Sequence, residues 1–254
     1  LHSDFSNFNA TGADSVTKFE EYVERAKELG MKAIAFSEHG NILSWVKKKQ
    51  TVEKAGLKYI HANEIYMTET LDEKKRDNYH MMLIAKNYDG VMEINELSSR
   101  SYQRDGHYYY DPRLSMKEVM NTSDNIIVTS ACLASLLWKG RVRLEREEAA
   151  SRFVKWMTEN KHRCFFEVQY HDIDDQRAFN RYLYDLHKVT GVPLIAGTDT
   201  HALNMEHQKV RQMFMKTKGI SYGDEDSFDH TFKSYDKLVE AFEKQGELEK
   251  SVYL

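Results

Sequence analysis

The chain has 254 residues, of which 41% are hydrophobic and 30% are charged, and its formal net charge is −4. This balance is typical of a globular protein, and it excludes a disordered chain and a membrane-spanning one, because no apolar run approaches the roughly 20 residues of a spanning helix. The sequence predicts a cytoplasmic protein, and its negative charge argues against broad, salt-driven binding to nucleic acid while leaving DNA open as a substrate.

Seven short apolar segments predict β-strands. Between them, apolar residues recur at the spacing of an α-helix and predict helices. In the first helical stripe, Thr17 and Glu20 predict a capping box, and Gly30 predicts the end of the helix. The strands are expected near Leu1 and over residues 32–36, 58–65, 80–85, 125–129, 163–169 and 193–197.

Strands that alternate with helices favour parallel pairing, and a closed β/α barrel satisfies the strand count without a linker. Residues 68–78 are highly charged and predict an exposed loop. From residue 222 the chain changes character, with an acidic turn and then a short helix that contains Leu238, Val239 and Phe242. We expect both ends of the chain to be internal to a longer polypeptide.

The predicted strands repeatedly end in potential metal ligands. The pair Asp199 and His201 follows an apolar run, and ligands two residues apart on an extended segment share a face. If the strands close into a barrel, their ends meet at one mouth and supply donors for two or three divalent metals, with Zn, Mn and Fe left open. The other strand-end residues of this kind are His2, Asp4, Glu38, His39, Glu64, His80, Cys132 and Glu167.

Taken one at a time, many of these residues have an ordinary structural interpretation. Cys132 alone would be a small buried hydrophobic residue, and the two cysteines are too few for a disulfide scaffold. Asp14 lies near a helix start and could serve as a turn or cap residue. The remaining histidines are expected to be structural (His61 and His187) or solvated in polar segments (His107, His162, His207 and His230).

Eight ordered motifs resemble the polymerase and histidinol phosphatase (PHP) domain. The resemblance is closest to the version at the N-terminus of bacterial and phage DNA polymerase III alpha subunits, and it runs nearly from end to end. The motifs lie at residues 2–6, 37–41, 63–66, 80–87, 110–113, 129–132, 166–169 and 198–201, and residues 232–235 match the following tail.

The resemblance implies a distorted, seven-stranded β/α barrel over residues 1–221 and a C-terminal extension over residues 222–254 that leads toward a polymerase region. His2 corresponds to the second histidine of a His-x-His motif, whose first histidine would precede Leu1. Asn9 competes with Asp14 for one acidic position, and Glu38 stands where the family usually has Asp. The implied ligands of two to three metals are His2, Asp14, His39, Glu64, His80, Cys132, Asp199 and His201.

The implied activity is that of a metal-dependent phosphoesterase, most specifically a 3′-to-5′ exonuclease that uses metal-activated hydroxide against a DNA phosphodiester. Glu64 and Asp199 are the central catalytic positions, and Glu167 and His171 are expected behind the ligands or as proton donors. Arg113 is expected either to hold a phosphate or to form a structural ion pair. The implied partners are the primer 3′ end of DNA and the other polymerase domains, with the isolated domain a monomer.

Two other functions stay open from the sequence. The barrel could be a structural module that binds metal and braces a polymerase without turnover. It could also be a free-standing phosphatase that acts on a small molecule such as histidinol phosphate.

Overall fold

The computed structural model describes residues 1–8, 14–76, 78–221 and 228–253. Within them the chain forms an α/β fold on one curled sheet, which agrees with the predicted distorted barrel. The strands are β1 (Ala33–Phe36), β2 (Lys58–Thr68), β3 (Tyr79–Ala85), β4 (Tyr108–Tyr109), β5 (Asp111–Ser115), β6 (Ile126–Thr129), β7 (Cys164–Gln169) and β8 (Leu194–Gly197). The α-helices are α1 (Phe19–Glu28), α2 (Trp45–Lys54), α3 (Tyr88–Ser101), α4 (Met116–Met120), α5 (Glu147–Glu159), α6 (Asp174–Thr190), α7 (Met205–Thr217) and α8 (Tyr235–Gln245).

The strand β2 organises the sheet because three other strands pair with it. β1 pairs in parallel with its first half and β5 with its second half, while β3 runs antiparallel along its opposite edge. From β3 the sheet continues through β6, β7 and β8, and β4 forms a short antiparallel pair with β5. Six of the seven predicted strands are present, with ends within three residues of the predicted ones.

The prediction of parallel pairing is wrong at β3, which is antiparallel to both β2 and β6. The reason is the connection, because residues 69–76 and 78, the described part of the segment between β2 and β3, are largely exposed and contain no helix. Parallel neighbours need a long crossover, whereas antiparallel neighbours need only such a loop. As a result, the beginning of β3 lies at the same edge of the sheet as the end of β2.

The strand predicted near Leu1 is absent. The segment instead bridges two strand ends, because Leu1 O accepts from Ser37 N at 3.0 Å and His2 N donates to Thr200 O at 2.9 Å. It then enters a 3₁₀ turn at Asp4–Phe8.

The capping box predicted for α1 is shifted by one residue. The N-cap is Lys18, whose backbone N–H donates to the Glu21 carboxylate at 2.9 Å. Thr17 turns inward, where its hydroxyl contacts His207 Nδ1 and accepts from Leu203 N. Gly30, with φ of 68°, ends the helix as predicted, since the left-handed conformation favours glycine.

Two apolar clusters hold the sheet and helices together. The smaller one joins α1, β1 and α2 through residues such as Phe19, Tyr22 and Phe36. The larger one covers the rest of the sheet, and Phe242 of α8 packs into it. Each fully buried side chain of this size contributes about 1.5–3 kcal/mol relative to an exposed one.

The predicted boundary between the barrel and the C-terminal extension lies at residues 221 and 222. Residue 222, like the acidic turn after it, is outside the described residues. No described helix has both the length and the apolar character that crossing a bilayer requires.

Candidate metal centre

Strand ends, together with the segments before the 3₁₀ turn and α1, bring the eight predicted ligands into one neighbourhood. His2 precedes the 3₁₀ turn, Asp14 precedes α1, and His39 follows β1. Glu64 lies within β2 and His80 at the start of β3, where the antiparallel pairing places both side chains at the same edge. The loops after β6 and β8 contribute the remaining three, Cys132, Asp199 and His201.

The first group of possible ligands contains four side chains, all of them buried. Ligand atoms of His2, Asp14, His39 and His201 lie within 4.8 Å of one another. Asp14 is at its centre, with Oδ2 3.1 Å from His201 Nδ1 and Oδ1 3.5 Å from His39 Nε2.

The second group contains His39, Glu64 and His80. Glu64 Oε1 lies 2.8 Å from His80 Nδ1, and Cys132 Sγ lies 3.6 Å from the same nitrogen. Cys132 Sγ is also 3.9 Å from Glu64 Oε1, so the thiol joins this group as a fourth possible donor.

The third group contains His2, Glu64 and Asp199 and connects the other two. His2 Nε2 lies 3.0 Å from Glu64 Oε2 and 3.6 Å from Asp199 Oδ1. Asp199 Oδ1 is in turn 3.1 Å from His201 Nε2. Each of the two carboxylates therefore faces donors from more than one group, which is the arrangement of bridging ligands.

Burial and mutual attraction set the charges of this centre. Burial opposes ionisation of Asp14, Glu64 and Asp199, but nearby histidines outweigh it and hold the pKa of all three carboxyl groups well below the ordinary range. The same carboxylates outweigh the burial of His2 and His201 and raise the pKa of both imidazoles. The centre thus places three buried carboxylates among imidazoles, and each carboxylate needs a positive partner, either an imidazolium or a metal ion.

The residues fit divalent metals. Imidazole, carboxylate and thiol donors together suit Zn, Mn or Fe. In addition, His39 Nδ1 is buried and has no hydrogen-bond partner within the described residues, although buried polar atoms normally have one. His39 shares ligand-atom groups with the Asp14 and Glu64 carboxylates, and an unpaired ring nitrogen there is what a ligand without its metal would present.

A buried ion pair beneath the centre fixes the ring of His2. Glu38 Oε1 accepts from Lys48 Nζ at 2.6 Å, and Glu38 Oε2 accepts from the Ser6 hydroxyl at 2.5 Å. Because Ser6 gives its proton to Glu38, its oxygen is an acceptor toward His2 Nδ1 at 3.2 Å. His2 Nδ1 then carries a hydrogen, so Nε2, which faces Glu64 and Asp199, is the nitrogen that would exchange its proton for a metal.

Glu38 itself is therefore a supporting residue. Burial opposes its ionisation, but Lys48 and the Ser3 and Ser6 hydroxyls outweigh it and lower its pKa. It also accepts from Ser3 N at 2.9 Å, so it holds the backbone on which His2 lies.

Backbone contacts and backbone conformation fix the positions of Asp14 and Asp199. Asn7 Oδ1 accepts from Asp14 N and Ser15 N, and Arg211 Nε donates to Asp14 O. Asp199 has a φ of 43°, a conformation that costs a non-glycine residue energy and that concentrates at functional sites. The alternative ligand Asn9 lies outside the described residues.

Glu167 lies on the wall of a cavity of about 180 Å³ inside the barrel, which His2, Glu64, Cys132 and Asp199 also line. Burial raises its pKa, and the Glu64 and Asp199 carboxylates add to the effect, while hydrogen bonds from Thr129 and Gln169 oppose it. A Cβ atom at Gly197 would lie 2.0 Å from Glu167 Oε1, so only glycine leaves room for this carboxyl group.

His171 and His230 form a separate group with Asp199. The prediction that His230 is solvated is wrong, because it is 4% exposed and its Nδ1 lies 3.0 Å from Asp199 O. Burial lowers the pKa of His171 to about 4 and that of His230 to about 3, so both rings are neutral at pH 7.

The other histidines largely follow the prediction. His107 is an exception, because it is 8% exposed and lies between Asp105 and Glu118. His61 is buried between Tyr59 and Asn95, as expected of a structural residue. Of the remaining three, His162 is exposed, and His187 and His207 are half-buried.

The prediction that Arg113 holds a phosphate or forms an ion pair is wrong. Its guanidinium is fully buried and donates to four backbone carbonyls, those of His107, Glu73, Lys75 and Gly106. Arg113 therefore ties the β4–β5 hairpin to the loop before β3 and has little capacity left for a ligand.

The strand-end pattern does not identify four residues that the structure places around the centre: Lys48, Ser6, Arg211 and His230. Lys48 lies four residues before the buried Val52, so both share the inward face of α2. His230 lies midway between Phe228 and Phe232, an alternation that indicates a shared buried face. For Ser6 and Arg211 the sequence carries no comparable signal.

The wider cavity at the mouth has a volume of about 330 Å³, which lies within the range of small-molecule sites. Three basic side chains, those of Lys139, Arg143 and Arg211, line it beside ligand residues. The ligand residues on its wall are Asp14, His39, His80, Cys132, Asp199 and His201.

Comparisons with known proteins agree with this geometry. Residues 1–171 match the PHP domain family model. The chain is 32% identical over 213 residues to the DNA polymerase III alpha subunit of Borreliella burgdorferi, and 31% identical over 262 residues to that of Campylobacter jejuni. These alignments cover 81% and 98% of this chain but 18% and 21% of the relatives, so the chain spans about a fifth of their length.

Two solved structures share the fold. One is a Bifidobacterium adolescentis protein described as a candidate metal-dependent phosphoesterase, with a TM-score of 0.50, 13% identity, and coverage of 87% of this chain and 96% of that one. The other is a two-domain Bacteroides vulgatus protein described as containing a PHP-like metal-dependent phosphoesterase. Its TM-score is also 0.50 and its identity 13%, with coverage of 96% of this chain and 68% of that one.

Proposed function

The chain belongs to the PHP domain family, and we propose that it is a metal-dependent phosphoesterase within a DNA polymerase III alpha-type protein. The single observation that supports this most is the meeting of eight donors from separate segments of the chain. Seven of them form interlocking groups of ligand atoms, and the Cys132 thiol lies 3.6 Å from His80 Nδ1. The ligands we propose are His2, Asp14, His39, Glu64, His80, Cys132, Asp199 and His201.

The chain's own residues prepare the site for phosphoester hydrolysis. Divalent metals, when bound, lower the pKa of water and neutralise charge on a phosphoryl oxygen. Glu38, Lys48 and Ser6 orient His2, and the strained backbone at Asp199 directs its carboxylate to two groups. These contacts preorganise the centre, which is the main protein contribution in reactions of this class.

Glu167 is suited to hold a proton beside this centre. Its carboxyl group lies in the same cavity as Glu64 and Asp199, and burial favours its neutral form. We propose that it gives this proton to the leaving oxygen, as a general acid does. The role of His171 as a second proton donor stays a prediction.

We propose the primer 3′ end of DNA as the substrate and 3′-to-5′ exonuclease activity as the reaction. The relatives named DNA polymerase III alpha subunit support this choice, as do Lys139 and Arg143 on the wall of the 330 Å³ cavity. The site would act beside the other polymerase domains in the cytoplasm, and the isolated domain would be a monomer.

The direct test is hydrolysis by the purified chain loaded with Mn²⁺ or Zn²⁺. The substrates are single-stranded DNA, a mispaired primer–template, p-nitrophenyl phosphate and histidinol phosphate. We expect cleavage of the DNA substrates from the 3′ end and its loss in Glu64→Gln, a variant of nearly unchanged size. Turnover of histidinol phosphate alone would favour a small-molecule phosphatase, and a metal-loaded chain without any turnover would identify a structural module.

A further inference from the structure

His171 is a buried polar side chain that is not among the eight proposed ligands. It follows β7 and is 3% exposed, and neither of its ring nitrogens has a hydrogen-bond partner among the described residues. Leaving buried polar atoms unpaired costs free energy. Nonpolar surroundings alone do not explain why a histidine occupies this position, because phenylalanine would fill it without that cost.

His171 has two possible co-ligands within reach. Ligand atoms of His171, Asp199 and His230 lie within 4.8 Å of one another. His230 Nδ1 lies 3.0 Å from Asp199 O, a carbonyl that can only accept, so this nitrogen donates and Nε2 carries the lone pair. The set is two neutral imidazoles and one carboxylate, which matches the His₂–carboxylate donors of known zinc sites.

Hydrogen bonds hold both histidines in place before any ligand binds. His230 O accepts from His201 N and Ala202 N, and His230 N donates to Gln208 Oε1 at 2.9 Å. His171 O accepts from Gln245 Nε2 at 2.6 Å. The His171 ring stacks on Phe228 with centroids 4.3 Å apart, which leaves ring rotation restricted.

We infer that His171, His230 and Asp199 form an additional divalent-cation site, distinct from the three groups of the main centre. Its class of ligand is a zinc-like cation, and Asp199 is shared with the main centre. The site joins the segment around His230 to the loop after β8 and the end of β7, so its cation would also stabilise the packing of these segments.

Two substitutions distinguish a metal-binding role of these histidines from a purely structural one. His171→Phe keeps the stacked shape and removes both nitrogens, and His230→Asn keeps a donor near Nδ1 while removing Nε2. After loading with Zn²⁺ and removal of free metal, elemental analysis should show about one equivalent less zinc per chain in each variant than in the wild type. His61→Phe is the matched control, since His61 is equally buried but lies outside these groups, and its zinc content should not change.

Thermal unfolding in chelator checks the fold of each variant. We expect His171→Phe to unfold at the same or a higher temperature than the wild type without metal, and to gain less from Zn²⁺. Wild-type zinc content in both His171→Phe and His230→Asn would overturn the additional site while leaving the main centre intact. A wild-type chain that retains no zinc would overturn both.

Discussion

The Lys48 ammonium lies 2.6 Å from Glu38 Oε1, and both side chains are 2% exposed. Removing one member of such a pair leaves an uncompensated buried charge, which costs about 3–5 kcal/mol. We expect Lys48→Met to lower the free energy of unfolding by this amount, measured by urea denaturation. Lys47→Met, which removes only a surface pair with Glu20, should cost less than about 1 kcal/mol.

Removing both charges tests the same pair in another way. The double variant Lys48→Met with Glu38→Gln leaves no unpaired charge, so it should be less destabilised than the sum of the two single variants. Additive losses would show that the two groups do not interact in solution.

Asp199 faces two groups of the main centre and the additional site, so its charge should control metal loading. We expect Asp199→Asn to weaken metal binding at least about 100-fold, beyond the roughly 10–100-fold typical of residues that only support ligands. Phosphoester hydrolysis should fall with it. Asp185→Asn, on the exposed face of α6, is the control, and metal content and activity equal to that control would exclude Asp199 from the site.

The effect of metal on stability should grow with pH. In the metal-free chain the raised pKa of His2, His39 and His201 gives stability that is fully present below about pH 6.5 and is lost as pH rises through the raised values. Bound metal replaces those protons, so the loaded chain does not suffer this loss.

Thermal unfolding between pH 6 and pH 8.5, with Zn²⁺ or with chelator, measures this difference. We expect the difference between the two melting temperatures to increase toward pH 8.5. At this chain length, each kcal/mol of added unfolding free energy corresponds to about 2–4 °C. The lowered pKa values of the carboxyl groups act only in acid, where their stabilisation is lost as pH falls. A gap that stays constant over this range would contradict the assigned charges.

Gly197 makes room for the Glu167 carboxyl group. We expect Gly197→Ala to lower the free energy of unfolding by about 1–3 kcal/mol, since overpacking a buried site costs this much. Adding Glu167→Ala removes the clashing atoms and should recover part of that loss, as a double-mutant cycle would measure. Two fully additive substitutions would show that the carboxyl group lies elsewhere.

Much of the fold follows from local sequence pattern. Strands such as β6 and β7 are apolar runs with clear ends, and Gly30 ends α1 because of its conformation. The direction of β3 could not be read in this way, because it depends on which neighbour the strand meets and not on its own residues. The pairing of Leu1 and His2 with two loops is a long-range effect of the same kind.

The candidate site likewise contains residues that local sequence identifies and residues that only long-range contacts identify. Its proposed ligands could be identified because they follow strands or match family motifs. Lys48 could not, since Lys47 and Lys49 beside it look the same in sequence and are exposed. Arg113 was misjudged because an arginine that binds carbonyls and one that binds phosphate have the same local pattern.

The central claim is that these donors hold divalent metals together, and anomalous X-ray diffraction from crystals grown with Zn²⁺ tests it most directly. We expect at least two anomalous peaks at the main centre, each about 2.0–2.3 Å from nitrogen, oxygen or sulfur atoms of the proposed ligands. Crystals of fully folded protein with no peak within bonding distance of His39, Glu64 or Asp199 would contradict it.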